Sequence, residues 1–241
     1  MTRIPILILL TAALLGTPFK GRSAGFGIDA TRLIYPEGAG SITVTVRNTL
    51  THDPYLVQAA ISTKQDKRVA APFAVTPPLF RLEPQSTNQL RIAFTGLPLP
   101  EDRESVFYLH STAIPTSKHP DPFRKPEGVK AQLHFGVGNI IKLFYRPAGL
   151  GMSSSAAQGG LEVSRVPGGL KLMNPSPFFI NLAGLTAEGK SLPLDTPDSL
   201  MLPPYGSHTW PVKTSLSDHA RVQWRTINDL GGTDVFSATL P

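Results

Sequence analysis

The sequence predicts an all-β protein made of two successive β-sandwiches. Apolar residues recur at every second position in many short runs, which is the periodicity of strands rather than of helices. Proline accounts for 24 of the 241 residues, and a proline inside a helix costs about 3 kcal/mol. A stretch of small and polar residues near the middle of the chain, at 147–160, divides the strand-like runs into two groups.

In the first half, the alternation is clearest in residues 42–46 (ITVTV) and 90–94 (LRIAF), where apolar and polar side chains take turns. Residues 106–114 (VFYLHSTAI) and 133–145 follow as longer runs rich in branched and aromatic residues. Proline-containing turn signals separate these runs, at 52–54, 76–78, 83–84 and 96–98. Short strands at this spacing, with turns between them, favour a sandwich.

The second half continues the strand pattern after residues 147–160 (PAGLGMSSSAAQGG), which we interpret as a linker or a loose connection between strands. Its strand-like runs are residues 170–173, 178–182, 208–212, 222–227 and 235–240. We therefore place a first domain at residues 25–147 and a second at 148–241, each long enough for one sandwich core.

The amino-terminal residues have the composition of a secretory signal peptide. Arg3 precedes 12 uncharged residues, 4–15 (IPILILLTAALL), a run too short for a membrane span of about 20 residues. We expect cleavage after Ala24 and export of the remainder. Removing residues 1–24 takes away three of the 23 basic residues and none of the 17 acidic ones, so the net charge falls from +6 to +3. With no arginine- and lysine-rich stripe and no later long apolar run, we predict neither nucleic-acid binding nor membrane insertion.

No catalytic or cofactor-binding motif is recognisable. The chain lacks a G-x-S-x-G nucleophile elbow, an H-E-x-x-H motif, a G-x-x-x-x-G-K-[ST] loop and a glycine-rich dinucleotide fingerprint. It has no cysteine, which excludes disulfides and cysteine-based zinc sites, and its six histidines are scattered. We therefore predict a protein that is not an enzyme, with no catalytic residues, no cofactor and no metal.

Several short motifs, spread in order over nearly the whole exported chain, carry a resemblance to a known family. They are residues 31–35 (TRLIY), 76–82 (TPPLFRL), 89–92 (QLRI), 97–108 (LPLPEDRESVFY), 113–115 (AIP), 141–147 (IKLFYRP), 174–179 (NPSPFF), 203–207 (PPYGS) and 227–232 (INDLGG). Each string alone is weak, but the ordered set resembles the periplasmic chaperones of the chaperone–usher pilus assembly pathway, the PapD-like family.

The resemblance implies two immunoglobulin-like β-sandwich domains arranged in an L, with a cleft between them. It implies a periplasmic chaperone that binds and caps pilus or fimbrial subunits by donor-strand complementation, lending a strand to a subunit that lacks one. An outer-membrane usher would then take the subunit for fimbria assembly, without any cofactor. Self-association of the unliganded chaperone is left open.

Three apolar residues of the predicted last strand of the first domain, Leu133, Phe135 and Val137, match the family's donor strand. Because they alternate along the chain, all three project from one face, and each could bury a side chain worth about 1.5–3 kcal/mol in a subunit groove. From the pattern alone they could equally be core residues of this strand. Two glycines at the alternate positions, Gly136 and Gly138, should loosen the strand and make the donor register less firmly fixed.

Five charged residues match sites that the family uses in the cleft and between the domains. Arg32 and Lys142 match the pair that grips the carboxyl-terminal carboxylate of the bound subunit. A carboxylate between two such cations offsets a repulsion of about 4 kcal/mol at 4 Å and an effective dielectric constant of 20. Glu104, Arg146 and Asp229 match an ion network that sets the angle between the domains.

A different function for an exported two-domain sandwich, an adhesin or a carbohydrate-binding module, remains as the alternative. Such proteins use exposed aromatic platforms. The chain has only two tryptophans, Trp210 and Trp224, and both lie inside strand-like runs.

Overall fold

The computed structural model describes residues 25–116, 136–212 and 216–241, which form two β-sandwiches joined by a short helical segment. The predicted signal peptide lies outside these residues, as do Leu133 and Phe135. Each sandwich encloses its own core of buried apolar side chains. The predicted all-β class, with two sandwiches, is confirmed.

The strands of the first sandwich, called the first domain below, are β1 (Phe26–Ile28), β2 (Arg32–Pro36), β3 (Ile42–Asn48), β4 (Tyr55–Ser62), β5 (Phe73–Thr76), β6 (Leu79–Leu82), β7 (Ser86–Phe94), β8 (Ser105–Pro115) and β9 (Val137–Arg146). One sheet has the order β1-β3-β7-β5 and the other the order β2-β9-β8-β4-β6. Between them lies an aromatic cluster in which the Tyr35 ring is 5.3 Å from Phe73 and 6.1 Å from Tyr145. The alternation seen in the sequence therefore places one face of each sheet in the core.

The pairing of β9 changes along its length. It is antiparallel to β8 from Val137 to Tyr145, whereas it is parallel to β2 only from Lys142 to Arg146. In the part of the chain that the structure describes, residues 137–141 thus have a partner strand on one side only. An unpaired strand edge presents backbone donors and acceptors to another chain.

The second sandwich, called the second domain below, follows the helix α1 (Ser154–Gly159). Its remaining elements are β10 (Glu162–Val166), β11 (Gly169–Met173), β12 (Ile180–Ala187), β13 (Lys190–Ser191), α2 (Pro197–Leu200), β14 (Met201–Leu202), β15 (Ser207–Pro211), β16 (Arg221–Ile227) and β17 (Thr233–Thr239). Its sheets have the orders β10-β11-β15 and β13-β12-β16-β17, with β14 pairing with β12. Trp210 and Trp224 are both buried in its core.

The interpretation of residues 147–160 as a linker or a loose connection misses the helix α1. Ser153 caps this helix by accepting a hydrogen bond from the Ala156 backbone N–H, and the Gly160 N–H closes its last turn. A helix of six residues is marginal by itself. Here it is held by packing, because Ala157 and Gln158 are buried and the Trp224 indole donates to the Gln158 carbonyl at 2.9 Å.

Candidate functional site

The two predicted anchor cations lie side by side at the boundary between the domains. Arg32 and Lys142 are direct partners in the parallel pairing of β2 with β9, so their side chains share one face of the sheet. Arg32 Nη1 donates to the Ile227 carbonyl oxygen at 2.8 Å, and Lys142 Nζ donates to Asn181 Oδ1 at 2.7 Å. Both cations therefore reach across to the second domain.

The surroundings of Lys142 make its positive charge costly. Burial, together with the nearby charge of Arg32, lowers the pKa of Lys142 to about 8. Burial also lowers the pKa of Arg32, although the carboxylates of Asp229 and Glu104 oppose that effect. An anion placed between the two cations would remove the repulsion and restore the charged form of Lys142.

A cavity of about 360 Å³ opens beside the pair and is lined by both domains. Arg32, Ile140 and Lys142 line it from the first domain, and Asn181 and Thr233 line it from the second. Arg32 Nε is fully buried and has no hydrogen-bond partner among the described residues. Since buried polar atoms in proteins are nearly always hydrogen-bonded, this unpartnered N–H adds to the cost of burying the Arg32 guanidinium.

Of the three predicted donor-strand residues, only Val137 is described. By alternation it shares the inward face of β9 with Leu143 and Tyr145, which are buried in the first core. Val137 is nevertheless 44% exposed. The amino-terminal end of β9 therefore presents an uncovered apolar side chain next to its open edge. Ile140, which the sequence analysis did not single out, is 48% exposed on the opposite face and borders the cavity.

The three residues of the predicted ion network are joined by hydrogen bonds. Arg146 Nε donates to Glu104 Oε1 at 2.7 Å, while its Nη1 and Nη2 donate to the two carboxylate oxygens of Asp229 at 2.8 and 3.0 Å. Glu104 also accepts from the Phe179 backbone N–H at 2.9 Å. The network therefore connects the end of β9 with two loops of the second domain.

The two acids of this network have opposite pKa shifts. Burial raises the pKa of Glu104, and Arg146 only partly opposes this. Burial is also the largest single effect on Asp229 and acts to raise its pKa. The hydrogen bonds and charge of Arg146, the hydrogen bond from Ser154 and the charge of Arg32 together outweigh it, so that the pKa of Asp229 lies below its ordinary value. Their different exposures explain the contrast, since the side chain of Glu104 is 2% exposed and that of Asp229 is 37% exposed.

Sequence reasoning missed three polar residues that support the ion network, the second domain or the cavity. Ser154 in α1 donates to Asp229 Oδ1 at 3.1 Å, and Gln158 in the same helix accepts from Thr226 Oγ1 at 2.6 Å. The third is Asn181, which lies two positions after the end of the NPSPFF motif (174–179). No local pattern marks any of them, because their roles depend on how α1 and β12 dock against the rest.

A second contact between the domains lies away from the cavity. The Tyr205 hydroxyl donates to the Asp102 carbonyl oxygen at 3.2 Å, and the Arg103 guanidinium lies 5.0 Å from the centre of the Tyr205 ring. The rings of Phe144 and Phe179 also meet across the boundary, with centroids 5.7 Å apart. The two domains are thus held together at several points around the cations.

Other kinds of site are not found in the described ranges. Residues 25–116, 136–212 and 216–241 contain no group of three or more histidine, aspartate or glutamate side chains arranged to hold a metal ion. No helix within these ranges is both long and apolar enough to span a membrane.

Comparison with known proteins decides the family. Residues 25–151 match the family model described as "Pili and flagellar-assembly chaperone, PapD N-terminal domain", and residues 156–238 match "Pili assembly chaperone PapD, C-terminal domain". The chain belongs to the PapD family of pilus-assembly chaperones. The predicted resemblance is therefore confirmed, and so is the prediction that the chain is not an enzyme.

Relatives of known name cover most of the chain. The probable fimbrial chaperone protein ElfD of Escherichia coli K12 is 34% identical over 233 residues, covering 96% of this chain and 94% of ElfD. The chaperone protein FocC of Escherichia coli is 37% identical over 209 residues, covering 86% of each chain. The chaperone protein caf1M of Yersinia pestis is 35% identical over 228 residues, covering 90% of this chain and 85% of caf1M.

Solved structures of PapD-family chaperones agree with the fold. The Escherichia coli chaperone DraB is 35% identical, with a TM-score of 0.75, over 90% of this chain and 97% of DraB. A structure of the Salmonella enterica SafA pilin in complex with the SafB chaperone gives 32% identity and a TM-score of 0.74, over 90% of this chain and 97% of the matched chain. Family membership, together with the burial of both tryptophans, disfavours the alternative of a carbohydrate-binding module.

Proposed function

We propose that this chaperone captures a pilus subunit by holding the subunit's carboxyl-terminal carboxylate between Arg32 and Lys142. The observation that carries the proposal is the pair of adjacent cations that line the same cavity. A carboxylate can accept from both cations, and each such charge-assisted hydrogen bond contributes about 1.5–3 kcal/mol. A terminal carboxylate fits better than a side chain because the cavity lies at the end of an open strand edge.

The open edge of β9 is the basis for a second part of the proposal, the pairing of this strand with a strand of the subunit. Residues 137–141 of β9 are paired on one side only within the described part of the chain, so a subunit strand can add to the free side. Anchoring the subunit's terminus at Lys142 fixes which residues face one another along that strand. Val137, with Leu133 and Phe135 before it, would then place apolar side chains in the groove of the subunit. Leu133 and Phe135 remain a prediction from the sequence, because they lie outside the described residues.

Membership of the family supports a proposal for the cellular setting. SafB, a relative with a solved structure, is seen in complex with the SafA pilin, which supports subunit binding here. We propose that residues 1–24 direct export to the periplasm, that domains at 25–147 and 148–241 remain, and that an outer-membrane usher receives the subunit. Capture would need no cofactor. Unliganded copies could hide the open edge of β9 by pairing with each other, which sedimentation of the free chain would detect.

A capture assay with a purified pilin subunit and its carboxyl-terminal amide tests the anchor. We expect Arg32→Ala and Lys142→Ala each to weaken binding by about 10- to 100-fold, since about 1.4 kcal/mol corresponds to tenfold. The amide should bind to the unchanged chaperone as weakly as the normal subunit binds to these variants. Arg91→Ala is the matched control, because Arg91 is exposed in the opposite sheet, where it contacts Ser41. Normal capture by both cleft variants would refute the anchor.

A second substitution tests the strand. Val137→Glu places a charge on the apolar face that should enter the subunit groove, and we expect capture to weaken while the free chaperone keeps its stability, since Val137 is already 44% exposed. Unchanged affinity would mean that the donor residues lie elsewhere in β9.

A further inference from the structure

Each anchor cation is held from the second domain by an oxygen that carries no formal charge. Arg32 donates to the backbone carbonyl of Ile227, and Lys142 donates to the side-chain amide of Asn181. A neutral acceptor fixes the direction of a cation without neutralising it. A carboxylate in either place would instead compete with an incoming carboxylate for the same N–H groups.

Asn181 owes its position to the alternation of β12. Its neighbours Ile180 and Leu182 are each 1% exposed and pack in the second core, so Asn181 projects from the other face of the strand. That face meets the first domain, where Asn181 is buried and lines the cavity beside Lys142. Asn181 Nδ2 donates no hydrogen bond within the described residues, and it is not among the fully enclosed atoms without a partner.

We propose that Asn181 is a positioning residue of the anchor, which aims the Lys142 ammonium into the cavity and leaves its own amide N–H free for the bound carboxylate. This inference rests on the proposed function, in which a carboxylate enters between Arg32 and Lys142. Under this proposal both domains contribute to the anchor, because Asn181 can orient Lys142 only when β12 is docked against β9.

Within the described ranges, the charged and titratable groups around Lys142 are few, so a change at Asn181 should be visible in the titration of Lys142. Arg32 on β2 repels the ammonium. Tyr108 is opposite Lys142 in the pairing of β8 with β9, and burial raises the pKa of its phenol, which keeps it neutral. From the second domain, the contact is the uncharged Asn181. Losing this acceptor should lower the pKa of Lys142, whereas an aspartate there should raise it.

The test measures the NMR chemical shift of the Lys142 ε-carbon as a function of pH, in the full chain with labelled lysine. The signal of Lys142 is identified as the one that is missing from the Lys142→Arg variant. In the unchanged protein the ammonium should titrate near the pKa of about 8. Asn181→Asp should move the midpoint upward and Asn181→Ala should move it downward. Gln223→Glu is the matched control, because it makes the same amide-to-acid change at an exposed position of β16 and should leave the midpoint unchanged. Equal midpoints in all four proteins would overturn the inference.

Capture of a purified pilin subunit at neutral pH is the second readout. Asn181→Asp should weaken capture at least tenfold, because its carboxylate occupies Lys142, and Asn181→Ala should weaken it less. If Arg32→Ala abolishes capture while the Asn181 variants neither shift the titration nor weaken binding, the inference is wrong and the proposed function stands. If Arg32→Ala has no effect on capture, the proposed carboxylate anchor is wrong, and so is the proposed role of Asn181 in it.

Discussion

Arg146 connects a buried acid with a half-exposed one, so replacing it with methionine should destabilise the chaperone strongly. The side chain of Glu104 is 2% exposed, that of Arg146 is 22% exposed and that of Asp229 is 37% exposed. Removing one partner of a buried ion pair costs about 3–5 kcal/mol, because the other charge is left uncompensated. The contact with Asp229 adds at most about 1 kcal/mol, as partly exposed pairs do. Glu104 should therefore dominate the loss.

The loss should depend on pH, because it requires Glu104 to be ionised in the folded chain. Burial raises the pKa of Glu104 in the folded chain, so the folded state binds the proton more tightly than the unfolded state, in which the pKa is about 4.3. Without Arg146 the folded pKa rises further, because the cation that opposed the shift has gone. The difference in stability between the variant and the unchanged protein should thus shrink as pH falls from 7 toward the unfolded pKa.

Urea unfolding followed by far-ultraviolet circular dichroism, at about pH 7 and at about pH 5, measures this difference. Tryptophan fluorescence alone would not suffice, since Trp210 and Trp224 both report on the second core. Arg165→Met is the matched control, because Arg165 pairs with Asp218 where the two side chains are 40% and 87% exposed, and its loss should stay below about 1 kcal/mol. A loss of similar size for both variants, or one that does not change with pH, would refute the reasoning.

Two further substitutions and one change of pH test other features of the structure. Gly231→Ala should destabilise the protein by more than about 1 kcal/mol. Gly231 has a φ of +83°, and the added methyl group would collide with Thr31 Oγ1 of the first domain. Thr31→Ala should restore the part of the loss that comes from this collision in thermal unfolding. Gln158→Leu should cost about 1–3 kcal/mol in urea unfolding, because the buried Thr226 hydroxyl loses its 2.6 Å acceptor, and a wild-type midpoint would contradict this. Subunit capture should weaken as pH rises through about 8, where Lys142 loses its proton, and affinity titrations should show a much flatter profile for Lys142→Arg.

The strands were predictable because each depends on a pattern within a few residues. Alternation over residues 42–46 and 90–94 was enough to place β3 and β7, since one face of each must be buried. The short motifs around Arg32 and Lys142 also suggested that two cations 110 positions apart would meet, but only the parallel register of β2 and β9 places them side by side.

The parts that the sequence did not predict depend on contacts between distant segments. Residues 147–160 have the composition of a flexible connection, whereas the short helix α1 within them is held by the contacts of Gln158 with Trp224 and Thr226. Asn181 is 39 positions from Lys142, and one asparagine in a strand has no distinguishing pattern. Its role appears only when the two domains are docked.

The bonds across the boundary hold Arg32, Lys142 and Asn181 in place before any subunit arrives. Ordering two long side chains at the moment of association would cost about 0.5–1.5 kcal/mol each, and here that ordering is completed during folding. Encounter with a subunit should consequently be limited by diffusion and by the ordering of the subunit's own end, rather than by closure of a hinge in the chaperone. Such a receptor can bind at first contact, because none of these side chains has to find its place beforehand.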